Sequence, residues 1–279
     1  MSNKKDSLGD RMKENYENRS KTYLVRRMPV IIRLDGKAFH TFTRGFKRPY
    51  DKVFHYAMNE TLKYLCKNIQ GCKLGYTQSD EITLLLTDYD NLDTAAWFDY
   101  AVEKMCSISA SMATLAFNKA FANGINTYVD IVNINNLPES ELEEERKYVE
   151  TLINALEKGA MFDARVFNIP KEEVANCFIW RQGDATRNAI QMLGQTYFSH
   201  KELDKKSQND IQDMLMLQKG INFNNYPAEF KRGVCCVKQT TTQWREDADP
   251  VIRNKWVIDD NIPIFTKDRN YLERFYSGD

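Results

Sequence analysis

The chain of 279 residues contains no C-x-x-C pair, and its three histidines are scattered. That excludes a credible zinc framework. The six cysteines, Cys66, Cys72, Cys106, Cys177, Cys235 and Cys236, read as free, mostly buried thiols in a reducing compartment. There is no excess of charge of either sign, because 39 basic residues cancel 39 acidic ones. No global field advertises nucleic acid, and any such surface must be local. No run approaches the roughly 18 apolar residues of a membrane span. The opening Met1-Ser2-Asn3-Lys4-Lys5-Asp6 lacks the apolar stretch of a signal peptide. The expectation is a cytoplasmic, soluble protein with no membrane partner. No internal repeat and no low-complexity linker appears.

What is present is ordinary globular composition, 42% hydrophobic and 28% charged, long enough for a sizeable core. Two acidic strand ends stand out. Pro29 to Asp35 is an apolar β-type run closed by Asp35-Gly36. Gln78-Ser79-Asp80-Glu81 forms a polar turn before the apolar run Ile82 to Leu86. A carboxylate at such a position is costly to desolvate unless it is paired or binds a cation. Two of them on neighbouring strands repel, and a divalent metal removes the repulsion. Mg²⁺ is typically held by one or two carboxylates plus substrate phosphates, which suits two-metal phosphoryl or nucleotidyl transfer. The plainer alternatives are a simple Asp-Gly turn and a simple polar turn.

Around these strands the pattern predicts an N-terminal arm over 6–24 and a helix from an Asp51 cap to about Asn68. A long helix is predicted from Asp93 to Phe121, then a short β-like stretch over Thr127–Val132 and an acidic helix. Further along come a strand at Phe162–Phe167, a helix carrying Trp180-Arg181-Gln182, and a polar helix near 207–218. Strands are predicted at Val234–Thr240 and Lys255–Ile258. The alternation points to an α+β or α/β sheet domain with helices mainly on one face.

Five segments fall in order: Asp10 to Glu17, Ile32 to His40, Gly75 to Glu81, Phe162 to Phe167, and Trp180-Arg181-Gln182. Together they resemble the tRNA-histidine guanylyltransferase family, specifically its guanylyltransferase-like branch of 3′-5′ polymerases. The two carboxylates lie 45 residues apart, room for one helix and one strand between them.

The resemblance implies an α+β, polymerase/cyclase-like palm domain. Its sheet would be mixed and mostly antiparallel, with helices packed on one face. It would span 1–240 with an N-terminal arm and an insertion near 125–158, followed by a C-terminal strand and tail at 241–279. It implies nucleotide addition to the 5′ end of tRNA, with ATP and GTP or another nucleoside triphosphate as substrates. Two Mg²⁺ would be held by Asp35, Gly36 and Asp80, with Glu81 supporting Asp35 and Asp80 in catalysis. The nucleotide would lie against Asp35, Gly36, Lys37, Ala38, Phe39, His40, Ser79 and Asp80, with Arg48 and Asp51 near the triphosphate. For Arg48 and Asp51 the residues alone are read equally well as a solvated loop and a helix cap. Arg181, Arg187, Asn188, Lys231 and Arg232 would meet tRNA. For Arg181 the other reading is a pair with a carboxylate that fixes the helix. Members are expected to be homotetramers.

One departure is informative. Where the guanylyltransferases proper carry His-Ile-Asn-Asn-Leu-Tyr-Asn, this chain has Asp184 to Gln191. Thr186 stands at the histidine, and only Asn188 matches an asparagine. This fits templated repair of 5′-truncated tRNA better than addition of an untemplated guanosine. The rival readings are a nucleotidyl cyclase-like palm enzyme and a non-catalytic tRNA-binding protein.

Overall fold

The computed structural model describes residues 7–132, 138–245 and 248–277. Six strands form one sheet: β1 Val30–Gly36, β2 Cys72–Gln78, β3 Glu81–Leu86, β4 Phe162–Asn168, β5 Val234–Arg245 and β6 Ala248–Asp259. Their order is β4-β1-β3-β2-β5-β6, and every pairing is antiparallel.

Alternation along the strands sets two apolar faces. Val30, Ile32 and Leu34 of β1 and Ile82, Leu84 and Leu86 of β3 point to one side. There, after the short α1 (Leu8–Asn15) and α2 (Phe39–Phe42) in chain order, they meet the long helices α3 (Lys52–Asn68) and α4 (Val102–Val132). Ile31 and Leu85 point to the other side, with Leu74, Tyr76, Cys235 and Val237. That face is covered by α6 (Val174–Tyr197) and by the tail residues Phe265, Leu272 and Tyr276. A slip of one residue in β1 would exchange the two faces, so burial on both sides fixes the register.

Helix α3 forms as the pattern predicts. The Asp51 carboxylate accepts from the Phe54 N–H at 2.9 Å, satisfying one orphan donor of the first turn. Val53, Ala57, Leu62 and Leu65 then recur at helical spacing on the buried side. Helix α4 corrects two expectations. It begins at Val102, after Phe98, Asp99 and Tyr100 turn the chain with φ of 51°, 52° and 58°. It also runs through Thr127–Val132, which is helix rather than strand. The weak helix propensity of Val and Ile is overridden there because Tyr128 and Val129 pack on the core. Helix α5 (Glu139–Lys158) returns antiparallel to it and buries Tyr148, Leu152 and Ala155.

Strands β5 and β6 are longer than predicted, and position 240 lies inside β5. The threonine-rich stretch after Val237 suits a pleated ribbon. A third small core joins the second half of α6 to α7 (His200–Leu203), α8 (Gln208–Lys219) and α9 (Ala228–Arg232), through Leu193, Ile211, Leu215 and Phe230. All six cysteines are free thiols. No helix among the described residues is long and apolar enough to cross a membrane.

Candidate active site at the end of strands 1 to 3

The site grows from the end of β1. Asp35 lies in register with Glu81 on β3 and with Asp163 on β4. Beyond it the Gly36 N–H donates to the Asp80 carbonyl at 3.1 Å, tying the β1 end to the β2–β3 turn. That turn is tight. Ser79 adopts a left-handed φ of 53°, and Thr77 Oγ1 donates to the Glu81 carbonyl at 2.7 Å. Ser79 Oγ donates to Asp80 Oδ1 at 3.0 Å, fixing the carboxylate.

After Gly36 the chain turns through Ala38, with a left-handed φ of 55°, into the single-turn helix α2 (Phe39–Phe42). Phe39 anchors this turn in an aromatic cluster, with ring centroids 5.2 Å from Phe162 and 5.5 Å from Phe117. A Cβ at position 36 would lie 2.4 Å from the Phe39 ring. Gly36→Ala is therefore expected to displace Phe39 and the 37–40 loop. The expected destabilisation is about 1–3 kcal/mol, with a larger fractional loss of turnover than of secondary structure by circular dichroism.

These elements open on a cavity of about 440 Å³. Its wall includes Gly36, Ala38, Phe39 and His40 from the β1 end and Ser79 and Asp80 from the turn. Arg48 and Asp51 line it from the loop before α3, and Asn188 lines it from α6. The structure thus brings together most of the residues that the sequence assigns to a nucleotide. Asp35 and Lys37 are not on that wall; Lys37 is exposed, and its N–H donates to the Met161 carbonyl at 2.9 Å. Among the described residues the N–H groups of Ala38, Phe39 and His40 have no backbone acceptor, and all three residues face the cavity. Asn188 is exposed and also lines the cavity.

Burial raises the pKa of Asp80 above the ordinary carboxylate range, and the nearby charge of Asp35 raises it further. The Ser79 hydroxyl and a backbone N–H oppose this. Among the described residues neither Asp35 nor Asp80 has an ion-pair partner. A pair of neighbouring carboxylates without a cation has the chemistry of a divalent metal site. No cluster of three or more His, Cys, Asp or Glu side chains suited to a metal occurs among the described residues. Any metal here depends on two carboxylates, backbone and substrate oxygens, which fits Mg²⁺.

Glu81, Arg181, Lys231 and Arg232 all have partners within the chain, and for Arg181 this is the reading as a pair with a carboxylate. The Glu81 carboxylate is held by Arg181 and lies 3.5 Å from Arg33 Nε. Arg181 is buried and also bonds Asp184 at 2.7 Å, so it fastens α6 to β3 rather than meeting RNA. Its neighbour Trp180 is the exposed member of the motif, with the Arg181 guanidinium 4.5 Å from its ring centroid. Lys231 donates to the Asn224 carbonyl at 2.6 Å, and Arg232 to the Ile262 carbonyl at 2.7 Å. Both tie α9 to adjoining loops. Arg187 is exposed, with its guanidinium 2.9 Å from Asp184.

Sequence reasoning missed His55. One turn into α3, it lines the cavity and stacks on Tyr50 with centroids 3.8 Å apart. Burial pushes its pKa down to about 3, so it is a neutral wall residue at physiological pH. Its i+4 spacing from the Asp51 cap was the available signal.

With this geometry in view, a family profile described as tRNAHis guanylyltransferase matches residues 9–170. The tRNA(His) guanylyltransferase of Debaryomyces hansenii is 26% identical over 223 residues, covering 75% of this chain and 73% of that one. A solved bacterial tRNA(His) guanylyltransferase (Thg1)-like protein in complex with ATP superposes with a TM-score of 0.77 and 42% identity. The match covers 96% of this chain and 98% of that one. A bacterial Thg1-like protein in complex with GTP gives a TM-score of 0.74 and 39% identity, covering 97% and 99%. The chain belongs to the tRNAHis guanylyltransferase (Thg1) family of nucleotidyltransferases.

Proposed function

We propose that this enzyme adds nucleotides to the 5′ end of tRNA in the 3′-to-5′ direction, with base pairing to the opposing strand choosing the nucleotide. The observation that carries this reading is the meeting of Asp35 and Asp80 beside a cavity of nucleotide size, bounded by unbonded main-chain N–H groups. The bacterial relatives solved with ATP and GTP support nucleoside triphosphates as its occupants. Thr186, in place of the histidine expected in the guanylyltransferases proper, supports templated repair over untemplated guanosine addition.

In this reading a 5′-monophosphorylated tRNA end first attacks the α-phosphorus of ATP, giving an adenylylated end and releasing pyrophosphate. The 3′-hydroxyl of the incoming nucleoside triphosphate then attacks the 5′-phosphorus. A phosphodiester forms and AMP leaves; from a 5′-triphosphate end, pyrophosphate leaves instead. Two Mg²⁺, held by Asp35, the Gly36 carbonyl and Asp80, would acidify the attacking hydroxyl and neutralise charge on the leaving phosphates.

The chain's own residues bind and orient. The N–H groups of Ala38, Phe39 and His40 donate to phosphate oxygens, as successive main-chain donors do in anion-binding turns. Arg48, exposed and without an ion pair among the described residues, supplies positive charge on the cavity rim. Ser79 holds Asp80 in place. Arg187 meets an RNA phosphate from the outer face of α6. No protein nucleophile takes part. The working form is read as a cytoplasmic homotetramer, from the family resemblance.

The test uses a tRNA lacking its first nucleotide and bearing a 5′-triphosphate, mixed with Mg²⁺ and each nucleoside triphosphate separately. The expected result is extension only by the nucleotide complementary to the opposing base. A cyclic product from nucleoside triphosphate alone, with no extension, would replace this reading with a cyclase. Equal extension by all four nucleotides would remove the templated part of it.

A further inference from the structure

The acidic helix α5 has no function from sequence, yet it and the last turns of α4 converge on one wall of the cavity. That wall is the loop Lys47–Asp51. Asp51, which is buried, accepts three hydrogen bonds: from the Lys47 N–H at 3.0 Å, the Phe54 N–H at 2.9 Å and the Tyr148 hydroxyl at 2.7 Å. Its carboxylate is committed to holding the loop. Lys47 is captured in turn. Its ammonium donates to Tyr128 Oη at 2.5 Å and to Glu145 Oε1 at 2.6 Å, while the Tyr128 hydroxyl donates to Glu145 Oε2 at 2.6 Å. The same nitrogen lies 4.5 Å from the Tyr148 ring centroid and 5.1 Å from that of Tyr128. One carboxylate and two rings thus draw the Lys47 charge off the cavity, although its side chain lines it. The next residue, Arg48, lines the cavity with no ion pair among the described residues.

We propose that Tyr128, Glu145 and Tyr148 are positioning residues for the nucleoside triphosphate. They hold the Lys47–Asp51 wall in its binding shape and withdraw the Lys47 charge, so that Arg48 is the cation offered to the phosphates. This rests on reading the cavity as the nucleoside triphosphate site. The physical rationale is pre-organisation: a loop already ordered by α5 does not have to be ordered by its ligand.

The test measures equilibrium binding of ATP, and KM and kcat for 5′ extension, in the full chain and in Glu145→Gln, Tyr148→Phe, Lys47→Met and Lys47→Met/Glu145→Gln. Loss of one such hydrogen bond corresponds to roughly 3- to 10-fold. The expected outcome is that much weaker ATP binding and higher KM in Glu145→Gln and Tyr148→Phe, with the change carried by KM rather than kcat. The double variant should be no worse than its weaker-binding parent, because the two residues act as a unit. Tighter ATP binding in Glu145→Gln would overturn the inference, since it would mean that the clamp opposes binding rather than holding the wall ready for it. So would additive losses in the double variant, or unchanged KM in both Glu145→Gln and Tyr148→Phe. If Glu145→Gln does not fold, Tyr148→Phe, which removes one oxygen, decides alone. Wild-type protein that binds neither ATP nor GTP would overturn the reading of the cavity itself, and the inference with it.

Discussion

Asp80→Asn is expected to lower the rate of nucleotide addition by about 1,000-fold or more, while the metal-free variant melts at a higher temperature than the parent. The two effects have one cause. Burial and the charge of Asp35 both disfavour the Asp80 carboxylate, so its folded pKa lies above its unfolded value. A carboxyl raised in this way stabilises the fold below its unfolded pKa, and that contribution is lost as pH rises through the folded pKa. At neutral pH without metal this carboxyl therefore favours the unfolded state, and the amide removes that cost. A divalent cation bound at the proposed site would reverse the balance by binding the folded state only. Mg²⁺ should raise the melting temperature of the parent, and much less that of Asp80→Asn. Loss of metal-derived charge stabilisation worth several kcal/mol corresponds to about three decades in rate. Calorimetry with and without Mg²⁺, together with single-turnover rates, measures both. A variant destabilised without metal would show that Asp80 is a structural anchor instead.

Arg181→Met should be the most destabilising single change at the site, by about 3–5 kcal/mol, the range for removing one partner from a buried ion pair. It leaves Glu81 with only the more distant Arg33 and takes one of two cations from Asp184. For a domain of this size that loss is roughly 6–12 °C in melting temperature. Arg187→Met is the internal control. It removes an exposed i,i+3 pair to the same Asp184, and its stability should stay within about 0.5 kcal/mol of the parent. Near-parental stability of Arg181→Met would show that α6 is held by its apolar face alone.

The β1 and β3 strands were legible because their register alternates buried residues on two faces, and Asp35-Gly36 ends one run where Asp80-Glu81 begins the other. The Asp51 cap was legible from its place before Val53 and Phe54. Arg181 was harder, since nothing local says that Trp180 is exposed while Arg181 turns inward; that depends on Glu81, 100 residues away. The clamp on Lys47 was invisible for the same reason, as Glu145 lies 98 residues further along. Thr127–Val132 misled because β-branched residues read as strand until the packing of Tyr128 is known. Local chemistry reached the carboxylates and the glycine between them, and the sheet and helix packing supplied the side chains that hold them.

The central claim is that Asp35 and Asp80 are the metal-dependent centre of nucleotide addition to tRNA 5′ ends. Its most direct measurement is the single-turnover rate of complementary-nucleotide addition to 5′-triphosphorylated, 5′-truncated tRNA across a Mg²⁺ titration, with Asp35→Ala beside the wild type. The expected result is a rate that rises with Mg²⁺ in the wild type and stays at background in Asp35→Ala, with both proteins folded. Wild-type-like addition by Asp35→Ala, or addition that persists after chelation of divalent metal, would contradict it.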